Sequence, residues 1–506
     1  MYAANTLSMT GATAGVEISS KEEKGGLKMR RLWALLLCAL LLCAPAGAET
    51  FAVNAGGNAL LVTDAGEALT AWGEYATAAR VSPPDCPPER ALFAAAPVLA
   101  ALPEGVEAGD LAPYRLLNAR GEALNDELYS SIDHRSGAGV VLVWQGQWAG
   151  ALEESGAEKL PCAYGGVLPN GEGGFLVTPR EYFNYDADGY AISAPLWRID
   201  ANGAAEDTGL TVQPQFSAEF ADGLAPLCVS TAEGWRYGYV NARGELAIPA
   251  AFDYAEDFRD GYAAARAPSG GVGLLRPDGS WALEPVYSDI GYLWGDGAAF
   301  YALREGSVEL IDRETLSLRA AFDVSRADYA YAYELDGAAI VIVAGGEMLA
   351  VDMEGNVLFR GDAAEATVSA NFTVREGTPD RLIFTRGMWP EQEAFLADLR
   401  LRRVAGPYRA IESGLWWKGD EGRFLVCDFE LSEQTYDGET YAYPIASSYV
   451  YGVIDEDGAE VLPVAYNAIQ YLSTERYWVR RGETWMMIDE AGNVYFEVSE
   501  YMDLMD

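Results

Sequence analysis

Short runs in which apolar and polar residues alternate, each closed by a glycine-bearing turn, fill the chain from Glu49 onward. Tyr237-Gly238-Tyr239-Val240 is one such run, and its period of two predicts a strand. Asn241-Ala242-Arg243-Gly244 follows it and reads as a hairpin turn; so does Arg276-Pro277-Asp278-Gly279 further on. In such turns an Asn or Asp side chain caps the backbone and Gly supplies the left-handed conformation. Leu246 and Ile248 start the returning strand. Pro249, which has no amide proton to donate, is expected to end its ladder. A glycine inside a strand marks a close backbone approach, and an aromatic ring of a neighbouring unit is expected over Gly238. No heptad pattern persists, and little helix is expected beyond the N-terminal leader.

The same phrase recurs at fixed offsets. From Gly238, Gly273 and Gly452 the turn glycine lies 6 residues on, at Gly244, Gly279 and Gly458. An aromatic lies 14 residues on, at Phe252, Tyr287 and Tyr466, and a proline 11 or 12 on, at Pro249, Pro285 and Pro463. Weaker copies start at Leu60, Arg115, Gly150, Trp197, Glu309, Leu349, Phe395 and Met486, which makes eleven candidate units. A second phrase, Phe220-Ala-Asp-Gly-Leu-Ala225, returns as Phe258-Arg-Asp-Gly-Tyr-Ala263. Such repetition signals small units that cannot each bury a core alone and must lean on one another. Each offers about three strands in roughly 35–40 residues, the length of one propeller blade. The expected fold class is all-β, built of tandem repeats. A propeller-like ring is preferred because it leaves few open edges, and an open β-spiral or hairpin array is the alternative. The aromatic after each proline is expected to plug the layer between units, at about 150–250 Å² of buried area each.

These residues resemble the WG (KWG) repeat of bacterial proteins, whose unit reads Trp-Gly-Tyr-Ile-Asp, then a turn Gly, an apolar strand, Pro, Tyr-Asp and Phe-x-x-Gly-Leu-Ala. Tyr or Val usually replaces the leading Trp here, and Trp485 is the clearest one retained. The resemblance is good over residues 110–300 and 445–500 and poor over 305–400. It implies a repeat module without a common assigned activity.

The chain divides accordingly into a leader (1–48), a degenerate first repeat with a Pro-rich insertion (49–110), well-formed repeats (111–300), degenerate repeats with insertions (301–440) and C-terminal repeats (441–506). Residues 76–110 read as an insertion between the first two units. Lys28-Met29-Arg30-Arg31, the apolar run Leu32–Leu42 and Ala46-Gly47-Ala48 make the three parts of a secretory signal over 29–48, with cleavage expected between Ala48 and Glu49. Residues 1–28 are odd for a signal, and Met29 reads as its start. The run is short for a membrane span of about 20 residues, so membrane contact is expected only through an uncleaved signal. The expected location is secreted or at the cell surface.

The formal charge is −41 for 506 residues; without residues 1–48 there remain 30 basic and 73 acidic residues, or −43. Such a surface repels phosphate backbones, so no nucleic-acid partner is expected. Cys86, Cys162, Cys228 and Cys427 follow the leader without metal-ligand spacing; they read either as up to two disulfides or as buried thiols.

Little else reads as chemistry. His134 is the only histidine and sits in a segment the repeat makes structural, so no catalytic residue is assigned to it. Asp186-Ala-Asp188-Gly189 and Asp455-Glu-Asp457-Gly458 look like calcium loops but lack the later Glu, and read as Asx turns. No cofactor and no metal is expected. Trp389, Trp416 and Trp417, where the repeat is faintest and the insertions longest, are the candidate ligand-binding residues. The reading is a non-catalytic binding or scaffolding module for an unidentified protein, peptide or glycan. The alternatives are a carbohydrate-active enzyme using paired carboxylates and a purely structural spacer.

Overall fold

The computed structural model describes residues 49–499, except 84, 99–112, 293–298, 305, 324–329, 336–338, 345–346, 353–354, 363–365, 371–380, 388, 399–401, 414–421, 437–438 and 474. The signal segment 29–48 and both Trp416 and Trp417 lie outside the described residues. Within them the chain is strand and turn, with no helix longer than the 3-10 turns Pro88–Arg90, Ser136–Ala138, Arg180–Tyr182 and Ala446–Ser448.

A unit is a four-stranded antiparallel meander, one strand more than the sequence suggests. The Gly273 unit runs Tyr254–Ala255, Ala263–Arg266, Val272–Leu275 and Trp281–Tyr287, paired in that order. Six separate sheets among the described residues have this form. The unforeseen strand is the first, only two residues long here and hidden behind the aromatic that closes the previous unit. Upstream, three units share an eleven-stranded sheet. Glu158–Pro169 leaves one unit as its fourth strand and enters the next as its first, pairing Leu160 with Ala151 and Leu168 with Leu176. The first sheet orders Thr50–Ala55, Asn58–Thr63, Tyr75–Arg80, Leu92–Pro97 and Arg115–Asn118. The described part of the expected 76–110 insertion is therefore mostly core strand. Its alanine-rich run has weak strand propensity, yet Phe93 and Ala95 are fully buried against Leu117 of the next strand.

All eleven ruler residues fall in strands, nine of them in the third strand of a four-stranded unit and Leu60 and Arg115 in the second and fifth strands of the first sheet, and their identity bears on the pairing. Beside Gly238, Tyr239 pairs with Ile248 and Tyr237 with Phe252, so the fourth strand advances four residues while the third advances two. The Gly150, Gly273 and Gly452 units repeat this bulge. Pro249 lies inside it, where no ladder amide is needed, so the strand resumes at Phe252 instead of ending. A Cβ on Gly238 would stand 2.8 Å from the nitrogen and Cα of Ala250 and 3.0 Å from the Ile248 oxygen. What crowds this glycine is the unit's own returning backbone, and not the ring of a neighbouring unit that the sequence suggested. At three ruler residues that carry a side chain, Glu309, Leu349 and Met486, the ladder runs straight past, whereas at Trp197 the shift lies one residue earlier, between the Pro195–Thr211 and Trp197–Asp207 pairs. Glu309 pairs with Ala321 and Val308 with Phe322; Met486 pairs with Glu497 and Trp485 with Val498. At Phe395 the bulge shrinks by one residue and the glycine has moved across, to Gly406.

Units meet through apolar layers. Phe252 joins Tyr239 and Ile248 to Ala263 and Leu275 of the next unit, the plug expected of that aromatic. Several Asx-turn glycines lie against the returning segment of the unit before them: Gly121 on Leu69, Gly156 on Leu124, Gly279 on Ile248, Gly355 on Ala320 and Gly458 on Ala405, whereas Gly203 and Gly492 have open space around them. Gly66 has no earlier unit in the described chain. It lies instead on Tyr495, in the last unit. There Trp478 Nε1 donates to the Asn54 carbonyl (3.1 Å), Arg476 Nε donates to the Asp64 carbonyl (2.9 Å), and Val53, Leu60 and Val62 share a core with Trp478, Met487 and Phe496. The first unit thus takes the place after the last. The fold is all-β and propeller-like, closed end on end; the open spiral is not what forms.

Candidate functional site

The strands of a meander alternate in direction, so each unit has two unlike ends. One end carries the first-to-second and third-to-fourth connections. The third-to-fourth connections are tight Asx turns, in which Asn241 Oδ1 accepts the amides of Arg243 and Glu245, and Asp455 Oδ1 those of Asp457 and Ala459. The Asp186 loop is the same device, its Oδ1 accepting from Asp188 and Tyr190. Both suspected calcium loops are thus turns. Among the described residues no group of three or more His, Cys, Asp or Glu is placed to hold a metal.

The opposite end carries the second-to-third connections, the longest of which runs from residue 429 to residue 449, and Trp389 is on it. Its loop joins Leu382–Arg386 to Glu393–Ala397, the second and third strands of the Phe395 unit. Gln392 Nε2 donates to the Arg409 carbonyl (2.9 Å) and fixes the loop's far side. The Trp389 indole is 53% exposed and tilts onto Phe429 of the next unit, with centroids 5.1 Å apart. Phe429, 5% exposed, continues to Tyr449 (4.7 Å), and Tyr449 stacks on Tyr451 (6.4 Å). The Arg409 guanidinium lies 5.8 Å from the Phe429 ring centre. An exposed indole braced by three further rings presents a flat, prepaid apolar surface of the kind that sugars and peptide side chains cover. Of the three tryptophans singled out in the sequence, only this one lies among the described residues.

A second constellation was invisible in the sequence. His134, in the strand Ser131–Arg135, is 2% exposed. Its Nδ1 lies 2.6 Å from Ser82 Oγ and its Nε2 2.9 Å from Glu154 Oε1. Ser82 Oγ also accepts the Leu92 amide (2.6 Å), and Arg90 clamps Glu154 through Nε (3.1 Å) and a terminal nitrogen (2.5 Å). A carboxylate only accepts, so Nε2 carries the proton and Nδ1 accepts from the Ser82 hydroxyl. The Arg90 hydrogen bonds hold the Glu154 carboxyl below its usual range against the opposing pull of desolvation, with His134 helping. This has the composition of a hydrolytic triad. Ser82 is only 3% exposed, however, and its oxygen faces the Leu92 amide. In this arrangement the group ties the Pro-rich turn after Arg80 to the next unit. The three residues are 52 and 20 positions apart, and no motif connects them.

Two other places were weighed for chemistry. A cleft of about 170 Å³ is lined by Gln213, Phe216, Cys228 and Tyr237 among others. It is smaller than the usual ligand pocket of about 300–1,000 Å³, and burial raises the Cys228 thiol, which makes it a poorer nucleophile. On the strand-to-turn segment after Tyr254, burial raises the Glu256 carboxyl, with Asp289 and Asp257 adding to it, and burial also raises Asp257. All four cysteines are free thiols, which settles the disulfide alternative for this conformation.

A model of the WG containing repeat matches residues 237–266 and 451–494, so the chain carries WG repeats there. No curated protein sequence matches the chain. Among solved structures it is similar to a eukaryotic initiation factor (10% identity, 76% of this chain and 93% of that one, TM-score 0.43). It is also similar to BamB from Moraxella catarrhalis (11%, 61% and 94%, TM-score 0.27) and to the dihydro-heme d1 dehydrogenase NirN in complex with DHE (15%, 65% and 77%, TM-score 0.30). Similarity at this level says nothing about what this chain binds.

Proposed function

We propose that this array of WG repeats is an exported, non-catalytic binding or scaffolding module that meets its partner on the end bearing the second-to-third connections. The observation that carries the reading is the Trp389 ring, 53% exposed on a row of aromatics contributed by two units. A rigid repeated frame holds the row in place, which lowers the ordering cost of association. The signal-type segment 29–48 and the net charge of −41 suit a protein that works outside the cell. Trp416 and Trp417 remain candidate ligand-binding residues, but on the connection between Ala410–Ser413 and Arg423–Asp428, a first-to-second connection that does not share the end of Trp389. The partner class is a protein, peptide or glycan.

The test is retention on cell-wall glycans and on peptide arrays. Trp389→Ala should lose retention with an unchanged melting temperature, whereas unaltered retention by that variant on every probe refutes the proposal. A carbohydrate-active enzyme is the second reading, favoured by the raised carboxyls of Glu256 and Asp257. It requires glycan turnover that Glu256→Gln abolishes.

A further inference from the structure

Two hairpins interrupt the regular array at equivalent places. Residues 180–193 stand between Phe175–Pro179 and the paired part of Ala191–Ile199, the second and third strands of one unit. Residues 431–444 stand between Arg423–Asp428 and Val450–Asp455, again second and third. Both therefore leave from the end opposite the Asx turns, the end that also carries Trp389.

Residues 180–193 hold three tyrosines (Tyr182, Tyr185, Tyr190), three carboxylates (Glu181, Asp186, Asp188) and one arginine, Arg180, whose guanidinium lies over the Trp148 ring at 4.5 Å. The described part of the second hairpin carries Tyr441 and Tyr443 with Glu433. The rings face water: Tyr185 is 53% and Tyr190 72% exposed, and Ile192, Tyr441 and Tyr443 are exposed as well.

The first hairpin is also pre-ordered. Tyr182 stacks on Trp197 at 5.2 Å with planes 9° apart. Phe183 lies 5.5 Å from Trp148 and 6.3 Å from Tyr185. The Asp186 side chain closes the tip by accepting two amides. No ion pair among the described residues uses Glu181, Asp186 or Asp188.

Projecting aromatic surface on a folded protein marks a contact surface, and tyrosine suits it because little conformational entropy is lost when it is covered. Charge then selects the occupant. Carboxylates interleaved with π faces attract ammonium and guanidinium groups and repel anions. A second copy of the chain, at −41, is repelled as well. We propose that the tyrosine–carboxylate hairpin at 180–193 is a docking site for a lysine- or arginine-rich polypeptide segment. This rests on the binding-module reading and names the chemistry of its partner.

The experiment is fluorescence anisotropy of labelled oligolysine against the whole chain, at about 0.05 M and about 0.5 M NaCl. Tyr185→Ser with Tyr190→Ser should weaken binding about tenfold, as two exposed cation–π contacts together imply. Glu181→Gln with Asp188→Asn should weaken it comparably, and both variants should melt with the wild type. Added salt should weaken the wild type, and oligoglutamate should not bind. If oligolysine binds the tyrosine variant as it binds the wild type, the attraction is to diffuse negative surface and the docking site is refuted. It is refuted too if the wild type does not bind oligolysine, or if the face instead binds glycan or a second copy. Retention through Trp389 on another probe would then leave the module reading standing, while its loss as well would remove both.

Discussion

Replacing Gly66 by alanine should open the closed array at its seam. Gly66 has φ +85°, so any Cβ there carries left-handed strain of about 1–2 kcal/mol. That Cβ would also overlap the Tyr495 carbonyl oxygen and stand 2.8 Å from its carbon, both backbone atoms that cannot swing aside. Overpacking of this kind costs about 1–3 kcal/mol, so Gly66→Ala should cost about 2–5 kcal/mol in all. Gly203 is the matched control: the same kind of Asx turn, φ +83°, with nothing within 4 Å of its Cβ position. Gly203→Ala should therefore cost only the strain, about 1–2 kcal/mol. Urea unfolding gives the two costs, and amide hydrogen exchange locates them. Exchange should quicken in Thr50–Thr63 and Arg476–Ser499 for the Gly66 variant and not for the control. Equal costs, or a seam that stays protected, would refute the closure argued from Gly66, Trp478 and Arg476.

Three further outcomes are expected. His134→Ala leaves the buried Ser82 hydroxyl without its acceptor, while Glu154 keeps Arg90, so it should destabilise by about 1–3 kcal/mol; an unchanged urea midpoint would mean the buried chain of hydrogen bonds contributes nothing. Turn hydrogen bonds hold the carboxyls of Asp200, Asp278, Asp312 and Asp489 below their usual range: the Ala204 amide leads at Asp200, the Ser280 hydroxyl at Asp278, the Thr315 amide at Asp312 and the Asn493 side chain at Asp489. A depressed carboxyl stabilises the fold above its unfolded pKa and loses that effect as pH falls through the folded one. The melting temperature should accordingly drop below pH about 4, and a rise there would contradict the assignment. Burial pushes the Cys162 thiol up to about 11 and raises Cys228 too; native protein at neutral pH should resist thiol labelling, urea should expose the cysteines, and a reductant should leave the melting temperature alone.

Much of the frame was legible because it is written locally. Gly238, Gly244 and Pro249 each answer to a backbone constraint within one hairpin, so a fixed ruler landed on a strand in all eleven units. The first strand escaped because Tyr254–Ala255 is too short to show a period. Leu92–Pro97 was readable only as a short strand or helix because alanines signal a strand weakly, although a crowded layer demands small side chains. The function of the ruler glycine was misassigned for a related reason. The bulge that crowds Gly238 exists only once two strands pair, so a single strand's sequence does not contain it. Long-range geometry was not legible at all: Ser82, His134 and Glu154 meet through the packing of separate strands. The turn at Asp186 was readable, but the exposure of Tyr185 and Tyr190 depends on what lies around the hairpin. Trp389 was found for its setting, among the longest irregular connections, and its ring does lie in the open.

The seam has a consequence for how the chain is made. The other apolar layers between described units join neighbours in sequence, which can settle as the polypeptide emerges from the ribosome. Trp478 and Asn54 are 424 residues apart. At about 5–20 residues per second, roughly 20–85 s of translation separate them. For that time the apolar side of Val53, Leu60 and Val62 waits without its cover, exposed to any other nascent strand. Such a protein reaches maturity only when its last-made residues arrive, and early termination would release a molecule with two sticky faces instead of none.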